Sequence, residues 1–463
     1  MPTQDLGLYA HLMRRAGFGY RTGDLEKMAE RGYEQCVEDL LHPERFPDID
    51  IDLLERFYGT GYNGWNYQWW HRMLNGRRQL EEKMTLFWHW VFATSNVKAG
   101  HVMTAQAQID MFRRNAMVDF RTILIQLSKD PAMIYWLDNQ ENLKDNINEN
   151  YGRELLELFS MGVGNYTEED VKAAADAFTG WTFATPIPQD AGSRHGGYNT
   201  HFVYRPDQHK DTVKSFMGET GRFNGEDIVD IVARQPATAR FLARRLWCWF
   251  VEDEPPVSAW NEKPPLDPQA IEMLAQVYFE SGGQMRPILR ALFNSDAFKQ
   301  ARFRRVKSPV ELVVSVLKLV GTYTDADPEM TYHLGTHDMG QGLLNPPTVE
   351  GWPNGMGWID GGTLNSRVNY AVDEVADASK PGIQKIANLF AKEGPVPPEH
   401  FVDRCLDLLG PAPLSPETRH GLLAYAARSG TLDFANPATR KDSEARLVRM
   451  LQLIVSAREY QLC

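Results

Sequence analysis

No apolar run in this chain reaches the length of a membrane span, so a helix crossing a bilayer is not expected. Basic charge is in deficit: 49 Lys and Arg stand against 61 Asp and Glu, a net charge of −12. That balance argues against DNA, RNA or an anionic membrane surface as the main partner, because each requires a basic footprint. It also makes a strongly acidic polymer a poor default substrate. The densest basic run, Arg302, Arg304, Arg305 and Lys307, is expected to be a solvated face. Cysteine is scarce. The four, Cys36, Cys248, Cys405 and Cys463, lie far apart without C-x-x-C spacing. This disfavours a structural zinc site or a disulfide framework and fits free thiols. No G-x-S-x-G, P-loop or G-x-G-x-x-G occurs, so serine-hydrolase, nucleoside-triphosphate and Rossmann readings have no motif. The N-terminal stretch lacks the apolar run of a signal peptide; the expected location is the cytoplasm, or an exported one if a leader has been removed.

What is present is a chain of 463 residues with 43% apolar and 24% charged content, ordinary for a globular protein and long enough for two or three domains. The pattern is helical almost throughout, so the expected fold is mainly α: a large multi-helical globular protein with a loop-rich insertion and at most a small β-hairpin. The expected division is 1–181, a helical domain; 182–225, the insertion; and 226–463, a second helical domain packed into one body with the first. EEKMTLFWHWVFATS at 81–95 is apolar on nearly every face and should be a buried helix. A helix is expected over 120–137. Residues 148–162 give the clearest helix, with Tyr151, Leu155, Leu158 and Phe159 on one side and Glu149, Asn150, Arg153, Glu154 and Glu157 on the other. Gly162 is the natural C-terminal cap, and Thr167 with Asp170 resembles a capping box. From 182 to 225 the period is lost, with FVYR at 202–205 a candidate strand. The stretch 322–375 is again expected to be irregular.

Several segments together resemble a bacterial family named only as domain of unknown function 1800. They are HLMRRAGFG (11–19), EEKMTLFWHWVFATS (81–95), DPAMIYWLDN (130–139) and NENYGRELLELFSMGVGNYTEEDVKAAADAFTGW (148–181). QPATARFLARRLWCWFV (235–251) and MGQGLLNPPTVEGWPNGMGWI (339–359) continue the match. The resemblance implies a mainly helical fold, a bacterial source, frequent export and a sulfatase-like companion protein; it implies no reaction. Residues 235–313 also look similar to a helical module of cytochrome-associated proteins, but without C-x-x-C-H covalent haem is not supported.

Five constellations are candidates for chemistry. Asp138 to Glu149 spans twelve residues, the length of an EF-hand calcium loop, with Asp138, Asn142 and Glu149 among the ligand positions. The turn glycine is replaced by Leu143; the plainer reading is an Asn-rich turn capping the next helix at Asn148. Calcium is the cofactor such a loop would take. Glu149, Arg153 and Glu157 follow i, i+4, i+8 spacing, a salt-bridge ladder, while Glu154 stands apart and could act with Glu157 as acid and base. His89, between Trp88 and Trp90, could contact those carboxylates or be a satisfied core histidine. His195, His201 and His209 lie in the insertion, where Asp207, His209 and Asp211 would share a strand face, and His333 and His337 have helical metal spacing. Aromatic and Gly/Asn-rich segments, with Trp70, Trp181, Trp352 and Trp358, suit a small-molecule or glycan-like ligand, although most of the twelve tryptophans must be core.

Two readings stand. One is a hydrolase-like enzyme in which Glu154, Glu157, His89 and Arg153 work on a polar, carbohydrate-like substrate. The other is a non-catalytic binding or assembly subunit acting with a protein partner. The site is expected within Asp138–Trp181 under either.

Overall fold

The computed structural model describes residues 5–58, 62–99, 102–184, 200–325, 332–410 and 414–463. Among them are 24 α-helices and two two-stranded antiparallel sheets, a mainly α fold. None of the described helices is long and apolar enough to cross a membrane.

Helix Gln79–Val91 forms the centre. Every residue in it except Glu81 is buried, as its all-round apolarity requires. Trp88 stacks on Phe92 at 5.3 Å between ring centroids, and Phe87 meets Trp249 and Phe250 of helix Pro236–Phe250. One contiguous hydrophobic cluster runs from Tyr9 to Val455. Polar ties cross it over long sequence separations. The Lys83 ammonium pairs with Glu311 of helix Pro309–Val320, Arg15 donates to the carbonyls of Phe250 and Trp249, and His11 bonds to the Phe298 carbonyl at 2.9 Å.

Proline and capping residues set the breaks. The region expected as one helix over 120–137 is two, Phe120–Ser128 and Pro131–Trp136, because Asp130 caps the second and Pro131 opens it. Pro236 similarly separates Gly225–Ala233 from Pro236–Phe250. The stretch 322–375 is less irregular than expected: it holds Tyr332–Asp338 and Gly361–Glu374, the latter started by a reciprocal capping box between Asp360 and Thr363.

In the insertion, β1 (Trp181–Ala184) pairs with β2 (His201–Tyr204), with Trp181 opposite Tyr204. β3 (Lys214–Phe216) pairs with β4 (Glu219–Gly221) through Met217 and Gly218, both at positive φ, as a two-residue hairpin turn demands. Among the described residues these two small antiparallel pairs are the only sheets, and β3–β4 is the small hairpin that was expected.

The basic run at 302–307 is not a solvated face. Arg302 pairs with Asp5 and Arg304 with Glu252. Arg305 is buried against both Glu311 oxygens, and Lys307 is buried as well. All four cysteines are free and buried.

Candidate functional site

The helix expected over 148–162 is built in two parts. Asn150–Glu154 is α-helical and Leu155–Ser160 is π-helical. The wider turn has a local cause: the Ser160 hydroxyl donates to the Leu155 carbonyl at 2.5 Å, and the Met161 amide reaches back five residues to Leu156 at 2.9 Å. Gly162, at φ +83°, closes the segment by donating to the same Leu156 carbonyl, which is the cap its position predicted. Such π segments are uncommon and concentrate at functional sites.

Glu154 sits at the α-to-π junction. Its side chain is half-buried and has no hydrogen bond or ion pair among the described residues. Burial first, and then the neighbouring Glu157, push its carboxyl up to about 7; Arg153 opposes the shift and Glu350 adds to it. The salt-bridge ladder stops one step short. Arg153 pairs with Glu149 at 3.3 Å and with Glu168 at 2.8 Å, while Glu157 accepts the Tyr166 hydroxyl at 2.6 Å. Arg153 is therefore occupied on the outer face, and Glu154 and Glu157 are left beside each other.

Glu350, whose charge acts on Glu154, lines a cleft of ≈ 540 Å³ together with Trp90, Trp260, Trp352, Arg245 and Asn354; Glu154 and Glu157 are not part of that lining. The segment EGWPNGMGW forms one wall. Gly351, at φ +93°, is required there, since a Cβ would lie 2.4 Å from the Trp90 carbonyl oxygen. The Trp90 indole donates to the Trp352 carbonyl at 2.8 Å, and the Asn354 amide donates to the Glu254 carbonyl at 2.8 Å. Arg245 joins the cleft to the π segment: its guanidinium lies 4.6 Å from the Trp90 ring centroid and reaches the Leu158 carbonyl at 3.4 Å. Burial lowers the Arg245 pKa to about 10, with Cys248 and Glu350 offsetting part of the loss.

The other candidates are dispersed. His89 is buried with neither ring nitrogen hydrogen-bonded. Its ring meets Trp352 edge-on at 5.0 Å, and desolvation drives its pKa down to about 3. It therefore reaches the cleft wall through an aromatic contact and not the carboxylates. Trp352 lines the cleft; Trp70 and Trp358 are buried, outside that lining. Trp181 is packed between Phe178 and Phe202 at 5.1 and 5.0 Å, and its carbonyl accepts from Asn139. His209 contacts the Thr179 carbonyl and hydroxyl through Nδ1. Asp207 lies in a 3-10 turn and Asp211 pairs with Arg222, so the expected shared strand face does not form. His195 and the side chain of His333 lie outside the described residues.

In the 138–149 loop, Asn142 is consumed as a structural clamp. Its amide donates to the Ala175 carbonyl at 2.8 Å, and its side-chain oxygen accepts the Asn148 amide at 2.9 Å. Asp138 pairs with Lys98 and Glu149 with Arg153. Among the described residues no group of three or more His, Cys, Asp or Glu side chains is placed to hold a metal ion.

Sequence reasoning missed Arg245, Glu350, Trp90 and Trp260. The available signal was a pair of arginines inside the apolar run FLARRLWCWF, since a buried guanidinium is costly unless it has work to do. No curated protein and no solved structure gives a significant match to this chain. A sequence profile described as "Protein of unknown function (DUF1800)" matches residues 11–462, nearly the whole length, and the chain belongs to that family.

Proposed function

We propose that this protein is a hydrolase-like enzyme acting on a polar, carbohydrate-like substrate held in the tryptophan-lined cleft, with Glu154 as the acid and Glu157 as the base. The observation that carries this reading is Glu154 itself: a half-buried carboxyl, unpaired among the described residues, pushed to about 7. A carboxylate kept for stability is normally paired; one left unpaired and protonated near neutral pH is poised to donate. In the reaction, the Glu154 proton goes to the leaving oxygen as the C–O bond breaks. Water adds to the carbon and gives its proton to Glu157. Trp90, Trp260 and Trp352 supply flat apolar faces for ring stacking, and Asn354 and Glu350 bring polar groups to the same lining. His89 and Arg153 have no proton-transfer role in this scheme, and calcium has none.

Met356, 71% exposed at the rim of the same cleft, favours a second reading in which the cleft docks a protein partner without turnover. A panel of nitrophenyl glycosides separates the two. Wild-type turnover that Glu154→Gln abolishes without lowering the Tm is the expected result. No turnover across the panel, together with a Tm lowered in Glu154→Gln, would assign the residue to architecture.

A further inference from the structure

The Arg14 side chain belongs to the HLMRRAGFG segment but takes no part in the cleft. It is 7% exposed, and its Nε and one Nη have no hydrogen-bond partner. One face of the guanidinium rests on Phe303 at 4.5 Å. The unpartnered face lines a small cavity of ≈ 30 Å³ that Lys307, Tyr20, Thr22 and Ser315 also line. The Thr22 hydroxyl is buried there without a partner, and the buried Tyr20 hydroxyl lies beside Arg14. Neither Arg14 nor Lys307 has an ion pair among the described residues. Lys307 donates to the Tyr460 carbonyl at 2.8 Å, and its ammonium lies 3.8 Å from the centroid of the Tyr460 ring. Gly19, Leu319, Leu408, Leu409 and Tyr460 complete the lining.

We propose that this cavity is a binding site for a small monovalent inorganic anion of chloride size, held by Arg14, Lys307, Tyr20 and Thr22. Three observations converge on it. The volume is about twice the minimum for one water molecule, roughly 10–15 Å³, which is room for a single compact ion. The lining is donor-rich: guanidinium and ammonium can only donate, and both hydroxyls are free to donate. A halide accepts from all of them at once, whereas a water would accept two such bonds and give its hydrogens to a hydroxyl oxygen such as that of Ser315, whose own proton goes to the Leu312 carbonyl. Two buried cations without a counter-ion are costly, and an anion between them removes that cost. The site lies away from the Glu154 cleft and does not rest on the proposed activity.

The test uses the full chain and sodium chloride as the probe. Excess broadening of the chloride-35 NMR line by the wild-type protein should be displaced by bromide. It should be lost in Lys307→Met and weakened by about tenfold in Thr22→Val, a milder change that keeps the fold. Crystals grown in sodium bromide should show an anomalous peak between Arg14 and Lys307. Broadening that is absent, or equal in both variants, or a water at that position, would overturn the proposal.

Discussion

At the scale of single residues, two side chains carry opposite consequences for pH. Glu154 is raised in the folded state to about 7 from an ordinary 4.5. The fold therefore holds its proton more tightly than the unfolded chain does. The resulting penalty is absent below pH 4.5, grows between 4.5 and 7, and is full above that. For a half-buried group, screening leaves roughly 1–3 kcal/mol. Glu154→Gln should accordingly match the wild type in urea unfolding at pH 4.5 and be more stable at pH 8. A variant less stable at both would mean the carboxylate has a partner. His89 runs the other way. Its folded pKa is lowered to about 3 from 6.5, so the unfolded chain takes up the proton first and stability falls as pH drops below 6.5. Both ring nitrogens lack partners, so His89→Leu removes an unsatisfied polar group at similar volume. It should fold, melt at or above the wild-type Tm, and flatten the loss of stability between pH 6.5 and 4. A Tm lowered by several degrees would show a hidden partner for the ring. The composition around His89 made its burial legible. Its lack of a polar partner was not, because that depends on what Trp69, Phe112 and Trp352 bring from distant segments.

At the scale of elements, periodicity located the helices and the caps located their ends. Gly162, Thr167 with Asp170, and the strand at 202–205 were all readable. The π turn at Leu155–Ser160 was not, since apolar spacing at 3.6 residues fits it nearly as well and the deciding contact is one hydroxyl, that of Ser160. The 138–149 loop shows a different limit. Its spacing suggested ligands, but spacing cannot tell whether an asparagine oxygen points at an ion or at a backbone amide. Asn142 is buried, and its amide and carbonyl are spent on Ala175, Asn139 and Asn148. Asn142→Ala strands those groups, and a loss of about 2–4 kcal/mol is expected in chemical denaturation. Calcium added to about millimolar should leave the wild-type Tm unchanged. A calcium-dependent rise that Asn142→Ala abolishes would restore the metal reading.

At the scale of the molecule, the fold class and the family resemblance were legible end to end, while the cleft was not. It is assembled from Trp90, Arg245, Trp260 and Glu350, drawn from four separate segments; no single window of sequence contains it. The same convergence builds the core's charged centre. Lys83 and Arg305 flank Glu311, whose carboxyl their charges hold well below the usual range against the cost of burial. Removing one partner of such a buried group costs about 3–5 kcal/mol, so Lys83→Met should lower the urea midpoint sharply. An unchanged midpoint would mean Arg305 alone suffices. Because Glu311 is depressed, its contribution is present above about pH 4.5 and lost as pH falls. The central claim is that the fold keeps Glu154 as an acid near neutral pH, beside a cleft that can hold a substrate. Carbon-13 NMR titration of glutamate-labelled protein tests it most directly, with Glu154→Gln supplying the assignment. The account predicts one carboxyl signal with a midpoint near 7 that disappears in the variant. A Glu154 signal titrating at about 4 to 5, like an ordinary glutamate, would contradict it.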